Sequence, residues 1–273
     1  VDWVNLYNGD CLDILPSFDS CSFDMIYADL PYGTTQCPWD SVIPLEELWH
    51  EYERLIKPNG AIVLHAAQPF TSRLIMSNHK LYRYEWIWEK THPTGHLNAK
   101  KAPMRAHESV LVFFKKQPTY NPIKTCGHER KTAIKVKDET PVYGSQKFEP
   151  TMYDSTERYP RTVLKGPSDK QHCNLHPTQK PLWLARYMVS TYTNEGDHVL
   201  DNSMGSGTAG VACFDLQRTF TGIEKDADMF EIARSRISSS PQPSPLAQKP
   251  NEQSIASIYE SIERSEFASR DDA

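Results

Sequence analysis

Two short strings, about 170 residues apart, hold the side chains of this sequence best suited to chemistry. The first, Ala28-Asp29-Leu30-Pro31-Tyr32-Gly33, follows an apolar run and sets a carboxylate, a rigid pyrrolidine ring and an aromatic ring side by side. The second, Val199-Leu200-Asp201-Asn202-Ser203-Met204-Gly205-Ser206-Gly207-Thr208, is an apolar run that ends in a carboxylate and passes into a glycine turn. Gly205 and Gly207 permit a tight turn and close approach of backbone to a ligand. Thr208 opens a helical stretch whose free N–H groups favour an anionic group. Such a loop suits a nucleotide-like cofactor. A further acid, Glu224, ends the next strand-like run 17 residues past Gly207. A carboxylate there can accept hydrogen bonds from both hydroxyls of a ribose. Taken singly, each string is an ordinary strand-to-loop turn; the combination carries the meaning.

These loops need a scaffold. Strand-like runs fall at 5–7, 24–28, 61–65, 84–88, 109–114, 198–201 and 219–224. Between several of them lie stretches with apolar residues at helical spacing. Residues 44–57 place Leu45, Leu48, Trp49, Tyr52, Leu55 and Ile56 on one face, and Pro58-Asn59-Gly60 ends that helix. Helices are also predicted over 181–193, 207–216 and 227–237. Strands alternating with helices give an α/β fold, doubly wound around a mostly parallel sheet. The strands before Asp29 and before the glycine loop can be sheet neighbours despite their separation. Their C-terminal ends then meet where strand order reverses, the place where open α/β sheets bind ligands. Trp86 and Trp88 alternate on a strand and read as core residues. Residues 116–175 break the rhythm with six prolines and no clear period, and read as an irregular insertion. The division expected is a catalytic half over 1–115, the insertion over 116–175, a cofactor-binding half over 176–238 and a flexible tail over 239–273. Within that tail, Ile255, Ile258, Tyr259 and Ile262 fall at helical spacing beyond a Ser/Pro linker.

The 273 residues can bury a substantial core. Net charge is −5, yet residues 90–180 carry 17 Lys+Arg against 8 Asp+Glu. A basic segment in an acidic chain is what a local phosphate-binding face looks like. The six cysteines include no CxxC pair, which favours free thiols in a reducing cytoplasm. Cys126, His128, His172 and Cys173 match no common zinc spacing, so no metal site is expected. There is no run of 18 apolar residues and no basic-then-apolar leader, so neither a membrane span nor a signal peptide is expected.

Two more strings complete the pattern: Tyr7-Asn8-Gly9-Asp10-Cys11, and His176-Pro177-Thr178-Gln179-Lys180-Pro181, the most specific in the chain. In this order the motifs resemble those of the permuted (beta-class) DNA amino-methyltransferases, in which the catalytic motif precedes the cofactor motif. The resemblance spans roughly residues 3–238. It implies a seven-stranded methyltransferase sheet, S-adenosylmethionine as methyl donor and double-stranded DNA as partner, and it leaves a homodimer open. It departs at Leu30, where a proline is frequent, and at Asn202 and Ser203, which replace the usual proline and phenylalanine.

The implied roles follow residue by residue. Asp10 and Cys11 lie beside the cofactor adenine. Glu224 takes the ribose, and Asp201, Asn202, Ser203, Gly205, Gly207 and Thr208 form the donor loop, with Asp29 at its border. Lys180 neutralises the methionyl carboxylate, with His176, Thr178 and Gln179 lining the pocket. In the catalytic loop Asp29, Leu30, Pro31 and Tyr32 meet the target base. An exocyclic amine is a poor nucleophile because its lone pair is delocalised into the ring. Two acceptors, the Asp29 carboxylate and a backbone carbonyl held beside Pro31, draw its N–H bonds out of plane. Tyr32 stacks on a base flipped out of the helix. A sulfonium carries its own activation, so no metal is implied. Arg105-Ala106-His107-Glu108 supports the target base. Lys100, Lys101, Arg105, Lys115, Lys116, Lys131, Lys135 and Lys137 are the phosphate-contacting candidates. Aspartate at position 29 points to adenine N6 rather than cytosine N4; a non-catalytic DNA-binding relative is the third reading. Free-standing members of the family are frequent in phages and prophages.

Overall fold

The computed structural model describes residues 3–33, 41–135, 151–168 and 179–239. The strands are β1 (Val4–Asn8), β2 (Phe23–Ala28), β3 (Ile56–Ala66), β4 (Tyr82–Thr94), β5 (Arg105–Phe113), β6 (Lys131–Lys135), β7 (Thr151–Ser155), β8 (Val163–Gly166), β9 (His198–Asp201) and β10 (Thr219–Glu224). The helices are α1 (Cys11–Ile14), α2 (Leu45–Leu55), α3 (Phe70–Ser77), α4 (Leu182–Tyr192), α5 (Thr208–Asp215) and α6 (Ala227–Ser238). Eight strands form one sheet in the order β1-β10-β9-β2-β3-β5-β4-β8. Only β5 runs against the rest.

The central strands explain the doubly wound form. Side chains alternate across a strand, and in β2 both sets are apolar. Met25 and Tyr27 join one core with α4, α5 and α6, while Ile26 and Ala28 join another with α2 and α3. A strand buried on both faces reads as a nearly continuous apolar run, as residues 23–28 do. The amphipathic α2 buries Leu45, Leu48, Trp49, Tyr52 and Leu55 as its spacing predicts. It ends at Leu55, earlier than expected, because Ile56 turns extended and pairs with Phe23. Residues 58–60 are the irregularity by which the register moves from Phe23↔Ile56 to Met25↔Ala61.

The expected neighbours are neighbours: β2 and β9 pair in parallel at Met25↔Val199 and Ile26↔Leu200. From that junction the chain goes to β3 on one side and to β10 and β1 on the other, so strand order reverses there. Trp86 and Trp88 are core residues, their indole nitrogens donating to the Tyr192 hydroxyl and the Gly166 carbonyl.

The segment after 115 is less irregular than its sequence suggests. Asn121 binds the carbonyls of Ser190 and Thr193 at the end of α4. β6 and β7 form an antiparallel pair, and β8 extends the sheet beside β4, giving eight strands instead of seven. The tail at 255–262, Cys37, His172 and Cys173 lie outside the described residues. Among the described residues no helix is long and apolar enough to cross a membrane, and no three His, Cys, Asp or Glu side chains cluster as a metal site.

Candidate active site

Asp29 leaves the end of β2 at the strand-order reversal, next to the loop that leaves β9. The two loops touch: the Ser203 hydroxyl donates to the Asp29 carbonyl oxygen at 3.2 Å. The serine that replaces the expected phenylalanine therefore ties the donor loop to the catalytic loop. Asp201 is buried and accepts from the Ser203 amide at 3.0 Å. Burial, foremost, pushes its carboxyl well above the usual range.

Glu224 sits at the tip of β10. Its Oε2 accepts from the Gly205 amide at 2.8 Å and its Oε1 from the Asp226 amide at 2.9 Å. Both oxygens are thus oriented by backbone, and each keeps a further lone pair. The neighbouring β1 ends in Asn8, and Asn8 and the following Gly9 both donate to the Glu224 carbonyl. Asp10 caps α1 through the Leu12 amide and pairs with Lys225 at 2.9 Å, and that Lys225 bond is the main cause holding its carboxyl low.

Residues 23–235 match the DNA methylase family N6_N4_Mtase. The chain belongs to this DNA methylase family. It is similar to the Type II methyltransferase M2.DpnII of Streptococcus pneumoniae, 26% identical over 85% of this chain and 88% of the relative. It is 27% identical to the Type II methyltransferase M.HpaI of Haemophilus parainfluenzae over 84% of this chain and 73% of that one. Among solved structures, the complex of M1.HpyAVI with S-adenosylmethionine superimposes with a TM-score of 0.58, 28% identity, and coverage of 85% of this chain and 99% of that one. Membership makes the chain an S-adenosylmethionine-dependent DNA methyltransferase, the class its motifs imply. The phage association has no counterpart in these names.

Within the methylase, the catalytic loop is held from several sides. The Tyr32 hydroxyl donates to Asp29 Oδ1 at 2.8 Å, and its ring stacks on Phe70 of α3 at 5.2 Å between centroids. Burial, foremost, and the nearby Asp29 charge raise the Tyr32 phenol well above its ordinary range. Leu30 is buried in the α2–α3 core. Lys180 is tied to the catalytic loop. Its ammonium meets Asp29 Oδ2 at 3.0 Å and Glu108 Oε2 at 3.1 Å. Two carboxylates converge on it, and an ammonium with three donors keeps one for a further acceptor. Burial alone would lower its pKa, but Asp29, Tyr32 and Glu108 hold it well above the usual value.

Other expected pocket residues face inward. Asn202 is buried and accepts from the Tyr52 hydroxyl at 2.5 Å, anchoring the donor loop to α2. Cys11 is buried near it, and burial raises its thiol pKa. Gln179 accepts from the Ser206 hydroxyl at 3.4 Å. Arg236 of α6 donates to the Ser206 carbonyl and to the Thr208 hydroxyl, locking the start of α5. His176 and Thr178 lie outside the described residues.

The phosphate candidates divide. Lys100, Lys101 and Arg105 are exposed where β4 turns into β5, at the same sheet edge as Asp29. Lys131 is exposed at the start of β6. Lys115 and Lys116 lie at the opposite edge, because antiparallel β5 carries the chain away from the site; the Lys115 ammonium bonds the Glu53 carbonyl on α2. They are removed from the candidate face. Lys135 belongs to β6, and Lys137 lies outside the described residues. Sequence reasoning did not find Phe70, Tyr52 or Lys90. Their only signal was membership of an apolar helix face or a strand, which core residues share.

One buried base lies under this site. His65 on β3 bonds the Tyr27 hydroxyl at 2.7 Å, and burial lowers its pKa to about 4. A folded value below the ordinary 6.5 means that the unfolded chain takes up the proton first as pH falls. The stabilisation is complete above 6.5 and is lost toward 4. From pH 7.5 to pH 5 the loss from His65 is about 2 kcal/mol. Urea unfolding of His65→Gln should therefore show a shallower acid loss than wild type; equal losses would show that His65 is not the responsible group.

Proposed function

We propose that this enzyme transfers the methyl group of S-adenosylmethionine to the N6 amino group of adenine in double-stranded DNA. The observation that carries the reading is the bond between Ser203 and the Asp29 carbonyl, which sets the donor loop against the loop that receives the base. Adenine rather than cytosine is supported by the resemblance, since serine is more usual than aspartate at position 29 in the cytosine-N4 members of the family.

The residues present fit the donor. Glu224 and the half-buried Gly205 of the glycine turn offer acceptors and approachable backbone, and Asp10 lies just past the end of the adjacent strand. The bound donor supplies an electrophilic methyl group that needs no metal. Asp29 accepts one N–H of the target amine and orients its lone pair, and the carbonyl beside Pro31 accepts the other. Asp29 takes the proton once the amine has become cationic. Phe70 backs the Tyr32 ring, so the extruded base stacks on a ring already held in place.

Lys100, Lys101 and Arg105 reach phosphates at the site edge, joined by Lys131, Lys135 and Lys137 of the 116–175 segment. That segment selects the target sequence, between a catalytic half at 1–115 and a cofactor half at 176–238. An action on DNA, together with the reduced thiols of Cys11, Cys21 and Cys213, supports a cytoplasmic location. The names of its relatives support a place in restriction-modification.

Mass spectrometry of nucleosides from DNA incubated with enzyme and donor tests the reading. N6-methyl-2′-deoxyadenosine is expected. N4-methyl-2′-deoxycytidine would transfer the mechanism to cytosine, and no methylated base would favour a non-catalytic DNA-binding protein.

A further inference from the structure

We infer that Glu108 is a positioning residue for methyl transfer, acting with Lys90 to fix Lys180 and, through it, the carboxylate of Asp29. The inference rests on the methyltransferase reading above and adds to it a role for two residues outside both loops.

Four charged groups form a line. Lys90 meets Glu108 Oε1 at 2.5 Å, Glu108 Oε2 meets Lys180 at 3.1 Å, and Lys180 meets Asp29 Oδ2 at 3.0 Å. Side-chain exposure is 10% for Lys90, 15% for Glu108 and 12% for Lys180, but 30% for Asp29. The line therefore opens to solvent at the end where the base arrives. Its two ends differ in rigidity. Lys90 and Glu108 stand on neighbouring strands β4 and β5, paired at Trp88↔Glu108 and Glu89↔His107. Asp29 and Lys180 stand on irregular backbone, one after β2 and one before α4. A group on a sheet is held more firmly than one on a loop. Position is thus passed from the sheet to the loop.

The charges also require this arrangement. Two ammoniums and two carboxylates balance, whereas removal of Glu108 leaves two buried ammoniums to the one carboxylate of Asp29. Burial would push Glu108 up, but Lys180 and Lys90 hold its pKa at about 2, so the pair stays ionic wherever the enzyme works. Tyr32 joins the same assembly, with its hydroxyl on the other Asp29 oxygen and its ring 5.3 Å from the Lys180 ammonium. Moving Lys180 therefore moves the acceptor and the stacking ring together. Small displacements of reacting groups cost about 10²-fold in rate.

The test compares full-length wild type, Glu108→Gln and Lys90→Gln under saturating donor and DNA. Glu108→Gln should lower kcat by about 10–100-fold, with KM for donor and DNA each within about threefold of wild type. Lys90→Gln should lower kcat in the same direction. In the double variant the losses should not multiply, since both act through Lys180. Glu108→Asp, which restores the charge, should recover part of the rate. Melting temperatures locate any loss of fold, and assays run well below them. Wild-type kcat in folded Glu108→Gln, or a loss confined to KM, overturns the inference. Should Glu108→Gln not fold, wild-type kcat in Lys90→Gln overturns it. Absence of methylated base from wild type itself overturns the methyltransferase reading and this role together.

Discussion

Asp29→Ala is expected to abolish methyl transfer while leaving affinity for S-adenosylmethionine within a few-fold of wild type. The carboxylate is the acceptor that orients the target amine and later removes its proton, and such groups contribute about 10²–10⁴-fold in rate. Donor binding should survive because the alanine keeps what the donor loop uses. The Asp29 contribution to that loop is its backbone carbonyl, which accepts from the Ser203 hydroxyl. Glu224 and Gly205 are bonded to each other and not to the Asp29 side chain. Nor should the fold collapse, since Lys180 retains Glu108 as a carboxylate partner. Calorimetry for the donor and single-turnover methylation of saturating DNA separate the two effects. Retention of most of the turnover rate would remove Asp29 from the chemistry, and loss of donor binding would move it into the cofactor pocket.

What the sequence made legible was periodic or carried by backbone-determining residues. The apolar run at 24–28 announced a strand, and the spacing in 44–57 announced the buried face of α2. The glycine turn and the acid at 224 announced a cofactor edge because each depends on local backbone. The neighbours of charged side chains were not legible. Lys180 lies in the most specific string of the chain, yet its partners come from β5 and the end of β2, and no local rule states which carboxylates will converge on an ammonium. Lys115 and Lys116 were misplaced for the same kind of reason. They follow a strand like any other, and only its antiparallel sense carries them to the far edge. Strand β8 is four residues long and lies among prolines, too short to show a period.

The glycine turn yields a second large effect, and the geometry decides which glycine carries it. Gly205 and Gly207 both have positive φ, 50° and 77°. A valine at either is strained by about 1–2 kcal/mol. The directions of the added side chains differ. A Cβ on Gly207 would lie 3.0 Å from Ile237 Cδ1 and 3.1 Å from Ala233 Cβ, against α6. A Cβ on Gly205 would meet nothing within 4 Å, and the amide of that residue is bonded to Glu224. The sequence alone offered both glycines as close approaches to the donor; in the fold Gly207 is the close approach of α5 to α6. Gly207→Val should therefore overpack a core contact and lower stability by about 1–3 kcal/mol beyond the strain, with donor binding reduced only as the turn distorts. Gly205→Val should stay folded, since its side chain points into open space, yet fill the space beside Glu224 that the donor needs. Its affinity for S-adenosylmethionine should fall by about 10²-fold or more, the loss expected when a bulky group displaces ligand contacts worth about 3 kcal/mol. Thermal melts and calorimetry on both variants give the comparison. Wild-type donor affinity in folded Gly205→Val would place the methyl donor elsewhere on the sheet edge, and the assignment of the glycine turn would fall with it.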